Sequence, residues 1–178
     1  KHLHETLLVR LRRRLGCDTL TPLHRLDRET AGLVLLARQP ATRAAYENLF
    51  ARRQVTKTYQ AIARWDPNLQ FPLRRVSTLV DGEHFMQMRE AGEHDPPQLP
   101  NAHTTIELLE IQGDWARYGL QPQTGKRHQL RVHMAALGVP ILGDRIYPRL
   151  LPEGTDDPGN PLRLLAERLQ FTDPITGQ

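Results

Sequence analysis

A chain of 178 residues with 39% hydrophobic and 25% charged side chains can build a substantial core, and reads as one globular domain over 1–178, or one domain of two lobes. No apolar run approaches the roughly 18 residues of a membrane span, no signal-peptide pattern is present, and the single cysteine, Cys17, cannot close a disulfide within the chain; the expectation is a cytoplasmic protein with no membrane association. A net charge of +4, nearly all of it arginine, favours a polyanionic partner, while only 6% aromatic residues argue against a sheet of stacked bases.

Leu3, Leu7, Leu8, Leu11 and Leu15 recur at helical spacing and predict an amphipathic helix over residues 4–15, stopped by Gly16. Arg10, Arg12 and Arg13 fall off that stripe and should face water, as a solvated surface or as contacts to the phosphates of a polyanion. Next comes a lone carboxylate, Asp27, between Arg25 and Arg28, and the apolar run 33–37 that follows reads as a short buried strand. Gly32 allows a turn or a close backbone approach just before it. Asp27 is thereby expected on a loop at the edge of a core strand, with cations that favour its charged form. Such an anion can act as a nucleophile or stabilise developing positive charge; a surface ion pair is the plain alternative.

Pro40 fits the first turn of a second helix, with Tyr46, Leu49 and Phe50 on its apolar face and an end near Arg52-Arg53. Residues 55–65 alternate as a strand, placing Val55, Lys57, Tyr59 and Ala61 on one side. Turns at Asp66-Pro67, Asp81-Gly82 and 93–100 enclose possible short strands over 76–80 and 85–88, with no chemistry assigned. Residues 104–111 and 115–121 read as a hairpin turning at Gln112-Gly113-Asp114. Thr124-Gly125 then opens a helix from about 126 to 137, closed by Gly138, with Leu130, Met134 and Leu137 as its core stripe. Arg131 lies at the stripe's edge with Arg127 beside it; it could snorkel to the surface or partner a half-buried carboxylate. A Pro/Gly/Asp-rich loop over 148–161 leads to a last helical turn and strand over 162–171.

Five stretches together resemble the RluA-type pseudouridine synthases. His24-Arg25-Leu26-Asp27-Arg28-Glu29-Thr30-Ala31-Gly32 is similar to the family's H-R-L-D-R-x-T-S-G, with Ala31 for the usual serine. Lys57-Thr58-Tyr59 looks like its K-x-Y motif. Residues 124–133 resemble T-G-R-x-H-Q-[IL]-R-x-H with Lys126 for arginine, and residues 138–147 match G-x-P-I-x-G-D-x-x-Y. Residues 164–174 look like L-H-A-x-x-L-x-F-x-H-P, except that Leu165 and Asp173 replace the two histidines. A strand with a Lys-Pro motif before the first helix and a final strand after the last Thr-Gly are missing, so the chain is expected to be a fragment or the ordered part of a longer protein.

The resemblance implies an α+β catalytic domain, a mostly antiparallel mixed sheet flanked by helices around a central cleft. It implies conversion of a uridine in structured tRNA or rRNA to pseudouridine by a monomer, with no metal or other cofactor. The eight histidines include no HExxH or paired metal-ligand spacing. Asp27 would attack the sugar's anomeric carbon or abstract a sugar proton, Arg131 would pair with it, and Tyr59 would lie against the uracil. Arg25 would fill the gap left by the flipped nucleotide. Arg28, Lys57, Lys126, Arg127 and His128 would contact RNA, and Ile141 and Leu169 would form apolar walls. The alternatives are an RNA-binding or RNA-folding protein that has lost catalysis, and a glycosidase or nucleoside hydrolase, which needs a second carboxylate about 5–10 Å from the first.

Overall fold

The computed structural model of the protein describes residues 6–152 and 157–178. The chain separates into two compact units. The smaller comprises the described parts of Lys1–Leu26, Leu33–Thr56 and Leu169–Gln178, the larger those of Asp27–Gly32 and Lys57–Arg168.

In the smaller unit, helix α1 (Leu7–Leu15) begins where the Thr6 hydroxyl accepts from the Val9 N–H at 3.4 Å. It ends on Gly16, whose φ of 58° suits a residue without a Cβ. Leu3 of the predicted stripe lies outside the described residues. Leu8 and Leu11 are half-buried, whereas Leu7 and Leu15 are exposed. Arg10 and Arg13 face water as expected, but Arg12 does not: its Nε and Nη2 donate to the Leu20 carbonyl at 3.0 and 2.8 Å. Arg12 lies about 40° round the helix from Leu8, at the partly covered edge, where a guanidinium fork can satisfy a carbonyl that would otherwise lack a donor.

The run 33–37 is not the buried strand its composition predicts. Only β3 (Leu36–Ala37) is extended into a ladder, against β1 (Thr21–Pro22), and Leu33 is 50% exposed. The backbone of Leu35 is taken up elsewhere, its N–H by the Nε2 of His24 at 2.9 Å and its carbonyl by the Leu23 N–H at 3.0 Å, which leaves little ladder to extend. Helix α2 (Pro40–Ala51) starts on its proline as expected and buries Leu49. Phe50 stacks on His24 at 4.9 Å, and the Tyr46 hydroxyl donates to Asp173 at 2.9 Å. Asp173 thus fastens the chain's last segment to α2.

The larger unit holds a six-stranded mixed sheet, except for the strand-end residues Thr56, Leu169 and Gln170, which fall in the smaller unit. Its order is β2 (Ala31–Gly32), β10 (Leu164–Gln170), β4 (Thr56–Arg64), β9 (Trp115–Pro122), β8 (Ala102–Gln112) and β5 (Leu73–Ser77). The β4–β9, β9–β8 and β8–β5 pairs are antiparallel, and β10–β2 is parallel. The 66–101 stretch supplies β5 and a small hairpin of β6 (Leu79–Asp81) and β7 (Met88–Glu90). Phe85, placed by sequence in a strand, is 76% exposed in a turn. The helical turn expected before β10 is absent among the described residues.

Helix α3 (Gln129–Ala136) starts three residues later than predicted, because His128 adopts φ 55°, outside the helical range. Instead of one apolar stripe it buries every residue from Gln129 to Met134. Its neighbours explain this: Val132 joins Leu79, Ala102, Ile146 and Tyr147 in one cluster, while the polar members are fully bonded. Gln129 donates to the His103 carbonyl and the Thr104 hydroxyl, both at 2.9 Å, and accepts from the Thr124 hydroxyl at 2.7 Å and the Lys126 N–H at 3.1 Å. One buried amide therefore ties the loop before α3 to β8.

Candidate active site

Asp27 opens the short segment of the larger unit that ends in β2. Its carbonyl accepts from the Thr30 N–H at 3.0 Å, closing a turn, and Ala31 and Gly32 then pair with Leu165 and Ala166. Gly32 (φ 112°) makes this possible, since a Cβ there would lie 2.2 Å from the Ala166 carbonyl oxygen. The loop is therefore held by the edge pairing of Ala31-Gly32, not by the run after it. The Asp27 side chain is half-buried, and among the described residues its carboxylate has no hydrogen-bond partner.

Three side chains lie close enough to feel its charge. Tyr59, on β4 opposite Leu120, is 8% exposed; burial pushes its phenol up, and the Asp27 charge pushes it further, so it stays protonated at neutral pH. Burial lowers His128, while Asp27 works the other way. Burial opposes the Arg131 charge, but Asp144, Glu29 and Asp27 outweigh it and raise the guanidinium's pKa.

The direct Asp27–Arg131 ion pair expected from sequence is not formed. Arg131 is 1% exposed, and its Nε and Nη2 donate to the two Asp144 oxygens at 2.8 and 2.6 Å, with Glu29 at 3.0 Å from Nη2. Asp144 is equally buried and also accepts from the Ile146 and Tyr147 N–H groups at 2.9 and 3.0 Å. A carboxylate with two backbone donors and a guanidinium fork is a better buried partner than a loop residue free of such support. Among the described residues Nη1 of Arg131 has no hydrogen-bond partner, so one edge of the guanidinium is uncommitted.

Tyr147 completes the surround. The Arg131 guanidinium lies 5.5 Å from its ring centroid, and its hydroxyl accepts from the Met88 N–H at 2.8 Å and meets His128 Nδ1 at 2.9 Å. With the phenol at about 12, raised chiefly by burial, and the imidazole lowered, the bond is satisfied by Tyr147 donating to Nδ1, which leaves the proton on Nε2.

The remaining expected residues separate. Lys57 is half-buried, lowered by desolvation, and reaches the Thr124 carbonyl at 3.4 Å. Arg127 is committed to Asp81 and the Gln87 carbonyl, both at 3.2 Å. Arg28 and Lys126 are exposed, and Ile141 is 3% exposed in a bridge to Ala63. Arg25 is exposed and Leu169 half-buried, both in the smaller unit. Sequence reasoning passed over Asp144, Glu29 and Tyr147, although all three stand inside quoted motifs. A carboxylate flanked by Ile141, Leu142 and Ile146 was itself the signal, because such a group needs a buried cation.

Among the described residues no group of three or more His, Cys, Asp or Glu side chains is placed to hold a metal ion, and no helix is long and apolar enough to cross a membrane.

The chain is similar to known proteins. The family model for RNA pseudouridylate synthases matches residues 1–136. The tRNA pseudouridine synthase C of Vibrio vulnificus is 33% identical over 190 residues, covering 100% of this chain and 76% of that protein. The dual-specificity RNA pseudouridine synthase RluA of Escherichia coli is 36% identical over 165 residues, covering 87% of this chain and 68% of the other. Among solved structures, human RNA pseudouridylate synthase domain containing 1 superposes with a TM-score of 0.75 at 29% identity, covering 92% of this chain and 68% of that one. The chain belongs to the RNA pseudouridylate synthase family, in its RluA-type group. It is an RNA pseudouridine synthase, an isomerase, on the α+β fold expected from sequence.

Proposed function

We propose that the protein isomerises a specific uridine of structured tRNA, rRNA or both to pseudouridine, with Asp27 as the group that acts on the ribose. The observation that carries this reading is a half-buried carboxylate with no hydrogen bond of its own among the described residues, electrically coupled to a buried phenol and a buried guanidinium. An anion so placed is available to the anomeric carbon or to a sugar proton. The Vibrio vulnificus relative is named for tRNA and the Escherichia coli relative for dual specificity on RNA, while rRNA enters from the family resemblance.

In this mechanism the glycosidic bond to nitrogen breaks, the uracil turns, and carbon-5 bonds to the sugar; the proton on carbon-5 must then leave while the freed nitrogen takes one up from solvent, so no proton is gained or lost overall. Tyr59 packs against the uracil. Its oxygen can receive that proton only as its own phenolic proton passes on, and the Asp27 carboxylate is the nearby charge able to take it. Arg131 acts on Asp27 through space, as a fixed positive charge held by Asp144 and Glu29. Arg25 fills the gap left when the nucleotide flips out of its stack. Ile141 serves as an apolar wall. Asp144 and Glu29 are committed to Arg131 and are not free as the second carboxylate of a glycosidase. The test is to incubate wild type and Asp27→Asn with unmodified transcripts and map pseudouridine: product with wild type alone supports the reading, product with both refutes Asp27, and free uracil points to hydrolysis.

A further inference from the structure

Positive charge is divided unequally between the two units. The smaller carries ten lysines and arginines against four carboxylates, the larger fourteen against sixteen. Pairing sharpens the contrast. In the larger unit Arg64, Arg75, Arg89, Arg117, Arg127 and Arg131 are ion-paired; among the described residues of the smaller unit no arginine is. Of the cations expected to contact RNA near Asp27, Lys57 is desolvated, Arg127 is engaged by Asp81 and His128 is held towards its neutral form, which leaves Arg28 and Lys126 as the exposed ones.

Within the smaller unit the charge has a defined carrier. Arg10, Arg13 and Arg14 are exposed and fall within an arc of about 100° on α1, opposite the half-buried Leu8 and Leu11. Cations near a helix C-terminus gain from the macrodipole, by about 0.3–1 kcal/mol each. That account covers one or two arginines here, but Arg12 already satisfies the carbonyl of Leu20, and like charges at i, i+3 and i, i+4 repel. Three unpaired guanidiniums on one face are stable company for a polyanion and poor company for one another.

We infer that the arginine face of α1 (Arg10, Arg13 and Arg14) is the main phosphate-gripping surface of this enzyme, a role separate from the reacting groups of the larger unit. The inference rests on the RNA-substrate reading above. Phosphate contacts of this kind position RNA without reading its sequence.

The test compares R10Q/R13Q/R14Q with R64Q/R89Q/R117Q, which removes the same charge from ion-paired positions of the larger unit. Binding of a fluorescent unmodified tRNA transcript is measured across salt concentrations, alongside pseudouridine formation. Each lost phosphate contact lowers the slope of log affinity against log salt by about 0.7–0.9, so the α1 variant should lose about 2–3 in slope and tenfold or more in affinity. The loss should appear in KM with kcat held, and the control should stay near wild type. Wild-type affinity and slope in the α1 variant, or an equal loss in the control, would overturn the inference. Should the triple variant fail to fold by circular dichroism, R10Q and R13Q alone, each losing about 0.7–0.9 in slope, decide the question. A wild type that binds transcript but makes no pseudouridine overturns the functional reading and leaves the slope comparison intact.

Discussion

Replacing Asp144 by asparagine tests the buried ion pair that holds Arg131. Both partners are 1% exposed, and the carboxylate takes two N–H donors from Arg131 besides those of Ile146 and Tyr147. Asparagine keeps the shape and one oxygen, so the backbone donors can remain satisfied while its amide meets the guanidinium donor to donor. Arg131 is left buried with Glu29 as its one contacting counter-charge and Asp27 acting only through space, and Glu29 is 31% exposed. Breaking one side of a buried pair costs about 3–5 kcal/mol, and at about 2–4 °C per kcal/mol for a chain of this size Tm should fall by roughly 6–20 °C. Glu29→Gln, removing a partly solvated partner, should cost about 1 kcal/mol or less. Trp65 and Trp115 both lie in the larger unit, so tryptophan fluorescence during urea unfolding reports the affected part. A loss below about 1 kcal/mol for Asp144→Asn, or equal losses for the two variants, would mean the pair does not anchor Arg131.

Asp27→Asn should abolish pseudouridine formation while transcript binding, read by anisotropy, stays near wild type; residual product would remove Asp27 from the chemistry. Arg25→Ala should lower modification of a uridine within a duplex by tenfold or more and spare one in a single strand, a penalty of about the few kcal/mol that unstacking costs; equal efficiency on both rejects the gap-filling role. His133, fully buried, is lowered to about 4, first by desolvation, with Arg75 and His103 acting the same way and Glu90 against them. The unfolded state then binds the extra proton between pH 6.5 and 4, so stability is full above 6.5 and falls through that window by an order of about 3 kcal/mol. Urea unfolding at pH 7 and pH 4.5 should show a larger loss in wild type than in His133→Asn, and equal losses would show that His133 is not the titrating group.

The parts of the site legible in sequence were those set by local pattern. Period two put Tyr59 on the buried face of β4, and the proline and glycine signals bounded α2 and the β8–β9 hairpin. Illegible were features that depend on which distant group supplies a partner. The run 33–37 has strand composition, yet the His24 ring and Leu23 claim the backbone of Leu35. Arg131 was readable as the partner of a carboxylate, but not of which one, because Asp27, Glu29 and Asp144 are all within its field and only Asp144 brings a buried pocket with backbone donors.

The arginines of this chain show why a count of charges says little about function. Arg131 is buried on Asp144 and works as a fixed charge; Arg12, half-buried, spends its fork on a carbonyl; Arg64, Arg89 and Arg117 are solvated and paired. Each of these has already spent its electrostatic potential inside the protein, and exchanging a protein carboxylate for a phosphate gains little. Only an exposed cation with no internal partner has its full interaction left to give, with counterion release as the driving force. By that criterion Arg28 and Lys126 offer an RNA backbone single contacts, whereas the arginines of α1 offer three on one helix face and so the larger gain from binding.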